Sequence, residues 1–247
     1  MLESERIKLS TTRSLLWTAA AVALLSIGLA AVQASTAYGA APLPPERAAM
    51  GVAVFGVPVL MVLAAMTVTG EYRSGMIRTT LMATPNRVVV LAAKAIVAAT
   101  FSASYTALMT IMAVVVGRLM APPLIGSNLS FVDPDTWRMI GAITVYAALT
   151  AVLGVGVAAL LRHSAGAVAV LLLWPLLVEP ILGNLPRIGS EVGPYLPFAN
   201  AFTFLRVQWL YPVYDTPWGE VGSLLYFMVV VAVVYAAAIV VVNRRDA

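Results

Sequence analysis

The stretch Gly70–Lys94, GEYRSGMIRTTLMATPNRVVVLAAK, is a polar segment that lies between two long apolar runs. It carries one carboxylate, Glu71, and four cations: Arg73, Arg78, Arg87 and Lys94. Much of the remaining chain consists of apolar segments of about 20 residues, the length of a membrane-spanning helix. We therefore interpret Gly70–Lys94 as a polar segment that membrane helices hold on one side of a bilayer.

The composition supports this interpretation. Of the 247 residues, 61% are hydrophobic and 11% are charged, whereas soluble domains carry roughly 25% charged residues. Lipid must therefore solvate much of the surface, and the sequence predicts a multi-spanning membrane protein. The chain has no cysteine and one histidine, which excludes thiolate metal sites and histidine-rich metal sites.

Hydrophobic segments predict an all-α protein with six transmembrane helices. The third helix is expected to start with Thr84 as its N-cap and Pro85 at its first position. The predicted spans are about Leu15–Val32, Ala49–Thr69, the part of a Pro85–Val116 helix that lies in lipid, Arg138–Leu161, Ala165–Leu182 and Glu220–Val242.

Two shorter helices are predicted outside the spans. Residues 1–14 have a weakly amphipathic pattern with mixed charge, typical of a helix that lies at the membrane interface. Between spans five and six, Phe198, Phe202, Leu205 and Trp209 repeat at helical spacing. Aromatic rings prefer the headgroup level, so we predict a short interfacial or re-entrant helix there, on the extracellular side.

The distribution of basic residues predicts the orientation. Ten of the 15 Lys and Arg residues lie in the N-terminus, the Gly70–Lys94 segment, the turn between spans four and five, and the C-terminal tail. The positive-inside rule places these regions in the cytoplasm. We therefore predict a protein of the plasma (inner) membrane with both termini cytoplasmic, and we do not interpret its basic residues as a nucleic-acid site.

Familiar catalytic and nucleotide-binding motifs are missing from the sequence. It has no Gly-rich phosphate-binding loop, no His-Glu-x-x-His and no Gly-x-Ser-x-Gly. His163 and Ser164 are adjacent, and we interpret them as a polar turn. We therefore predict no catalytic residue, no metal ligand and no cofactor-binding residue on this chain.

The pattern of the polar segment permits two interpretations. Glu71 and Arg78 are seven residues apart and would share a helical face, while Ile77 and Leu81 would line an apolar one. A short helix with these two stripes suits docking into a protein groove. A solvated loop that only sets topology fits the same residues equally well.

A family resemblance favours the docking helix. The order EYRSGMIRTTL at 71–81, TPNR at 84–87 and LAAK at 91–94 resembles the cytoplasmic signature of the ABC-2-type exporter permeases. Met76 stands where threonine is common in that family. Residues 5–14 are similar to the family's leading amphipathic helix, and 174–197 resembles its region around span five, so the resemblance covers essentially the whole chain.

The resemblance implies a set of site residues and partners. Glu71–Thr80 would be the coupling helix in a cleft of a separate ATPase, and residues 1–13 would form a connecting helix beside it. Two ATPase subunits would carry the ATP and Mg²⁺, and a second permease copy or a related chain would complete the pore. The implied coupling residues are Glu71, Tyr72, Arg73, Gly75, Ile77 and Arg78, and the connecting-helix residues are Glu5, Lys8 and Arg13.

Glu179 is a carboxylate within a predicted span, and such groups are costly and often functional. One interpretation places it in a translocation path or an extracellular gate with Phe198 and Phe202. The other is structural pairing with water or Arg187 near the outer end of the span. The sequence leaves both open.

These observations predict a single permease domain over residues 1–247. Its parts are the interfacial helix (1–14), spans one and two (15–69), the coupling region (70–94), spans three and four (95–161), span five with the extracellular hairpin (165–218), and span six with the tail (219–247). By resemblance the chain would export a drug-like, lipid or peptide substrate. The alternatives are a membrane-embedded lipid-modifying enzyme and a non-transporting membrane anchor for an ATPase.

Overall fold

The computed structural model describes residues 2–11, 13–37, 42–208, 211–212, 214 and 216–244, which form helices and connecting segments without a β-strand. The helices are α1 (Leu2–Thr11), α2 (Arg13–Ser35), α3 (Pro45–Ala48), α4 (Val57–Ser74), α5 (Met76–Ala83), α6 (Arg87–Met120), α7 (Pro134–Leu161), α8 (Ser164–Leu173), α9 (Glu179–Asn184), α10 (Ile188–Val192), α11 (Pro197–Leu205) and α12 (Gly219–Arg244). Two π-helical turns extend the spans: Val52–Gly56 precedes α4, and Trp174–Val178 joins α8 to α9.

Six helical segments are long and apolar enough to cross a membrane, which confirms the predicted number of spans. A helix satisfies its backbone hydrogen bonds internally, as a lipid environment requires. The chain is therefore a helical, membrane-embedded protein. The six segments are Ser14–Ser35, Val52–Ser74, Arg87–Met120, Pro134–Leu161, Ser164–Asn184 and Gly219–Arg244.

The second and fourth spans form the centre of the bundle. In their most apolar stretches 72% and 61% of the residues are buried, against 17–22% in the first, fifth and sixth spans. Helix α7 packs against α4, α6 and α12. The outer helices therefore present most of their apolar surface outward, as expected of helices that face lipid or another chain.

Small residues of α7 let its neighbours approach closely. A methyl group on Gly154 would overlap the carbonyl oxygen of Met61 in α4. A methyl group on Gly156 would lie 3.4 Å from the Cα atom of Tyr235 in α12. The two glycines, which are two residues apart, thus face different partners from nearly opposite sides of one helix.

The bundle has two polar ends, which we name by their composition. The basic end contains α1, residues 75–86, residues 162–163 and the end of α12. The aromatic end contains residues 42–48, 121–133 and the described part of 185–218. At the basic end Arg87 donates to the carbonyl oxygen of Val242 at 2.8 Å, and at the aromatic end Leu43 N–H donates to Ile125 O at 2.8 Å.

The predicted single helix over Glu71–Thr80 is wrong, because the chain turns sharply at Gly75. Helix α4 ends at Ser74, and Gly75 adopts φ +73°, a left-handed conformation that glycine adopts without steric cost. Helix α5 then starts at Met76. Glu71 and Arg78 therefore lie on different helices and share no face.

The predicted start of the third span is also wrong. Helix α6 begins at Arg87, and its N-cap is Asn86, whose side chain accepts from Val88 N–H at 3.0 Å and Val89 N–H at 3.2 Å. Thr84 has φ −140° and ψ 94°, the extended conformation that a following proline favours. Pro85 consequently lies in the connection that precedes the helix.

The aromatic segment between the fifth and sixth spans contains helix α11, which packs on the core. Phe198, Phe202 and Leu205 are all at most 5% exposed. Phe198 packs edge-on against Phe227, and Phe202 contacts Tyr146. Trp209, the fourth member of the predicted stripe, lies outside the described residues.

We expect Gly154→Ala to lower the melting temperature of the detergent-purified protein. The added methyl group must displace the backbone of α4 at Met61, and overpacking of this kind costs about 1–3 kcal/mol. Gly141→Ala in the same helix is the matched control, because a Cβ there meets nothing within 4 Å. Equal melting temperatures for the two variants would show that α4 and α7 are not in close contact.

Candidate functional site

Four ionised side chains from three helices meet at the basic end. Lys94 Nζ of α6 lies 2.8 Å from Glu5 Oε2 of α1 and 2.8 Å from Glu71 Oε1 of α4. Lys8 Nζ of α1 lies 2.9 Å from Glu5 Oε1 and 2.7 Å from Glu71 Oε1. We call Glu5, Lys8, Glu71 and Lys94 the four-charge cluster, and its formal charges sum to zero.

Three members of the cluster are withdrawn from solvent. Glu5, Glu71 and Lys94 are 5%, 6% and 3% exposed. Lys94 makes a third contact, donating to the carbonyl oxygen of Thr67 at 3.2 Å, so each of its three ammonium protons has an acceptor. Buried charges persist only when they are paired and hydrogen-bonded in this way.

Lys8 is the partly exposed member, with 34% of its side chain accessible. Burial by itself lowers the pKa of Lys8, but its hydrogen bonds to Glu71 and Glu5 outweigh this effect and raise the pKa above its ordinary value of 10.5. Lys8 therefore stabilises the fold most fully below pH 10.5. This contribution is lost as the pH rises through the higher folded-state pKa.

The cluster fixes α1 to the bundle. Helix α1 contributes both Glu5 and Lys8, which are three residues apart and hence on neighbouring positions of one face. Their partners are Glu71 in the last turn of α4 and Lys94 two turns into α6. Residues predicted for the connecting helix and the coupling helix are thus joined directly. The side chain of the third connecting-helix residue, Arg13, lies outside the described set.

The other predicted coupling residues surround this cluster. Arg73, Gly75 and Arg78 are exposed, whereas Tyr72 is half-buried with the Arg162 guanidinium 5.1 Å above its ring. Ile77 is half-buried and faces the bundle. The exposed side chains of Arg73 and Arg78 are therefore available to a partner. Glu71 is instead buried and paired with Lys8 and Lys94 of this chain.

Glu179 forms a second buried polar site, at the aromatic end. It is fully buried, and its Oε2 accepts from the backbone N–H groups of Phe198 at 2.9 Å and Ala199 at 3.1 Å. Its Oε1 accepts from Trp174 Nε1–H at 2.8 Å. Phe198 and Ala199 lie in the first turn of α11, whose N–H groups lack partners within the helix, so Glu179 caps α11 from a different span.

This geometry differs from the expectation that water or Arg187 reaches Glu179. The carboxylate is enclosed, and its three donors are neutral groups. The rings of Phe198 and Phe202, predicted to line a path with it, are packed in the core. This arrangement gives Glu179 a structural role with partners other than the predicted water or Arg187, and it anchors α11 to the fifth span.

Sequence reasoning missed both the pairing of Lys94 and a polar network at the aromatic end. Asn200 is fully buried; it donates to Pro194 O at 2.8 Å and accepts from Trp218 Nε1–H at 2.9 Å. A signal for Lys94 was present, because a lone cation in the apolar run LAAKAIVAA requires a buried anion. Asn200 lies among aromatic residues and carries no comparable signal.

The fold and its cluster define the class of the molecule as a six-span helical membrane protein. The chain belongs to the family described as "Protein of unknown function (DUF2705)", whose model matches residues 13–247. No curated protein matches the chain. The matched residues include Glu71 and Lys94 and begin after α1.

We expect Lys94→Met to lower the melting temperature strongly. The substitution leaves Glu5 and Glu71 buried with Lys8 as their remaining cation, and breaking a buried ion pair in this way costs about 3–5 kcal/mol. The double variant Glu5→Gln/Lys94→Met restores the balance of charge and should melt above Lys94→Met. Thermal unfolding in detergent measures both effects.

Arg78→Met is the control for this series, because Arg78 is exposed and such surface changes usually stay within about 0.5 kcal/mol. A wild-type melting temperature for Lys94→Met would mean that solvent, and not Lys94, neutralises the two carboxylates.

Glu179→Ala should destabilise the protein by on the order of 2–3 kcal/mol, because it removes the acceptor of three donors and leaves two of them buried. The melting temperature of Glu179→Gln should fall between those of wild type and Glu179→Ala, since the amide keeps one acceptor oxygen. Glu191→Ala, an exposed carboxylate of α10, is the control. If Glu179→Ala and Glu191→Ala have the same melting temperature, Glu179 does not hold α11 in place.

Proposed function

We propose that the chain is the permease subunit of an ATP-driven exporter of the ABC-2 type. It acts as a dimer with a second permease copy or a related chain, coupled to two separate ATPase subunits that bind ATP and Mg²⁺. Its cargo is a hydrophobic or amphipathic molecule, which moves outward across the plasma (inner) membrane.

The observation that carries the proposal is the position of α5. Each of its eight residues is at least partly exposed, and the Gly75 turn projects it from the end of the second span. A helix that buries so little of itself gains little from intramolecular packing, as expected for a segment that a partner covers. Arg73 and Arg78 supply charge on the same side of the bundle.

The distribution of charge supports the orientation that coupling requires. The positive-inside rule places the basic end in the cytoplasm, where ATP is available to an ATPase. Helix α1 lies at this end, joined to the second and third spans by the four-charge cluster. A force applied to α1 would therefore reach two spans through buried ion pairs.

Co-purification tests the docking surface. The chain is co-expressed with the ABC ATPase encoded beside it, and the complex is assayed for assembly and ATP hydrolysis. We expect Arg73→Glu/Arg78→Glu to lose ATPase association or to reduce turnover at least ten-fold, because both cations are exposed at the proposed interface. Arg47→Glu, an exposed cation at the aromatic end, is the matched control and should behave as wild type.

The choice of residues follows from the structure. A Glu71→Arg substitution would place a cation against Lys8 and Lys94, so it would test folding and not docking. Failure of the wild-type chain to bind any ATPase would favour the membrane-embedded lipid-modifying enzyme. Regulated ATP turnover without movement of cargo into vesicles would favour the non-transporting anchor.

A further inference from the structure

A cavity of about 410 Å³ lies at the basic end, lined by α1, α4 and α6. Its volume falls in the range of small-molecule pockets in proteins, about 300–1,000 Å³. One part of the wall is charged and belongs to Glu5, Lys8, Glu71, Arg73 and Lys94. The other part is apolar and belongs to Leu63, Met66, Val97 and Ala98.

The charged and apolar parts follow one another along the axis of α4. Met66 and Arg73 lie on the same helix, and seven residues of helix span ~10 Å. Both side chains are exposed, so they mark the open side of the cavity. The cavity therefore runs from the polar end of α4 into its membrane-spanning part. A charged wall followed by an apolar wall matches an amphiphile with a charged headgroup.

The cavity carries one surplus positive charge. Glu5 and Glu71 balance Lys8 and Lys94, and Arg73 is the fifth ionised group in the wall. Arg73 forms no ion pair with any carboxylate in the described part of the chain. Arg73 and Lys8 line the same cavity, and guanidinium and ammonium groups both donate charge-assisted hydrogen bonds to phosphate.

Gly70 keeps the cavity open. It lies within α4 and lines the cavity, and a Cβ atom there would meet nothing within 4 Å. Glycine in a helix interior is about 1 kcal/mol less favourable than alanine. Neither backbone conformation nor packing requires glycine at this position, whereas a larger side chain would occupy the cavity between Arg73 and Met66.

We propose that this cavity binds one anionic membrane phospholipid. The phosphate group contacts Arg73 and Lys8, and an acyl chain lies along Leu63, Met66 and Val97. A second cavity of about 550 Å³ shares Val97 and is lined by α1, α2 and α6. Its apolar residues include Leu2, Leu15 and Phe101, and its charged residues are the ion-paired Glu3 and Arg6. It accommodates the second acyl chain. The site shares Arg73 with the proposed ATPase-docking surface, but lipid binding is measured without an ATPase, so the two proposals can fail separately.

The test uses the full chain purified in detergent without an ATPase. Phosphatidylglycerol and phosphatidylcholine are titrated separately, and bound lipid is counted by native mass spectrometry. We expect one phosphatidylglycerol to bind wild type at least ten-fold more tightly than phosphatidylcholine. Gly70→Leu fills the cavity and should weaken phosphatidylglycerol binding at least ten-fold, whereas Gly70→Ala, the matched control, should bind nearly as wild type.

Two further experiments distinguish binding through the phosphate headgroup from binding through the acyl chains. Arg73→Gln should reduce phosphatidylglycerol binding to the level of phosphatidylcholine, because the surplus charge is gone. Inorganic phosphate at millimolar concentration should not displace the lipid, since it lacks the apolar part. Thermal unfolding first checks that Gly70→Leu is folded like wild type. If the folded variant then binds phosphatidylglycerol as tightly as wild type, the proposal is overturned. Full displacement of the lipid by inorganic phosphate would also overturn it.

Discussion

The ion pairs of Lys94 with Glu5 and Glu71 are the interaction on which the basic end depends. An unpaired charge in a low-dielectric interior is too costly to persist. Each of these groups therefore fixes the positions of its partners. The pairing converts a general preference for burial into one specific arrangement of α1, α4 and α6. Hydrophobic contacts alone are non-directional and would not choose between alternative positions of α1 in this way.

The positions of the spans were predictable because each is an apolar run of about membrane length, and the number of such runs is a local property of the chain. The ends of the helices were harder to predict. The boundary at Gly75 depends on a left-handed residue within a segment whose charges suggest one continuous helix. The sequence offers both Thr84 and Asn86 as N-caps of α6, and in the structure the Asn86 side chain accepts the N–H groups of Val88 and Val89.

The candidate site was predictable as a region but not as a set of contacts. The basic segment and the N-terminal helix were identified by their charges, whereas Glu5 meets Lys94 across 89 residues of sequence. Such a pairing follows from the packing of helices and leaves no periodic signal. Glu179 shows the same limit, since two of its three partners are backbone N–H groups, which every residue type except proline possesses.

Helix α6 runs unbroken for 34 residues from the basic end to the aromatic end, a length of ~51 Å. It is held near its start by Lys94 and further along by α7. Because these contacts hold the helix between its two ends, a rotation about them moves the ends in opposite directions. By this geometry, a tilt of about 5° over the full length of the helix displaces one end relative to the other by about 4 Å. Small rotations at one face of the membrane thereby become sideways movements at the opposite face.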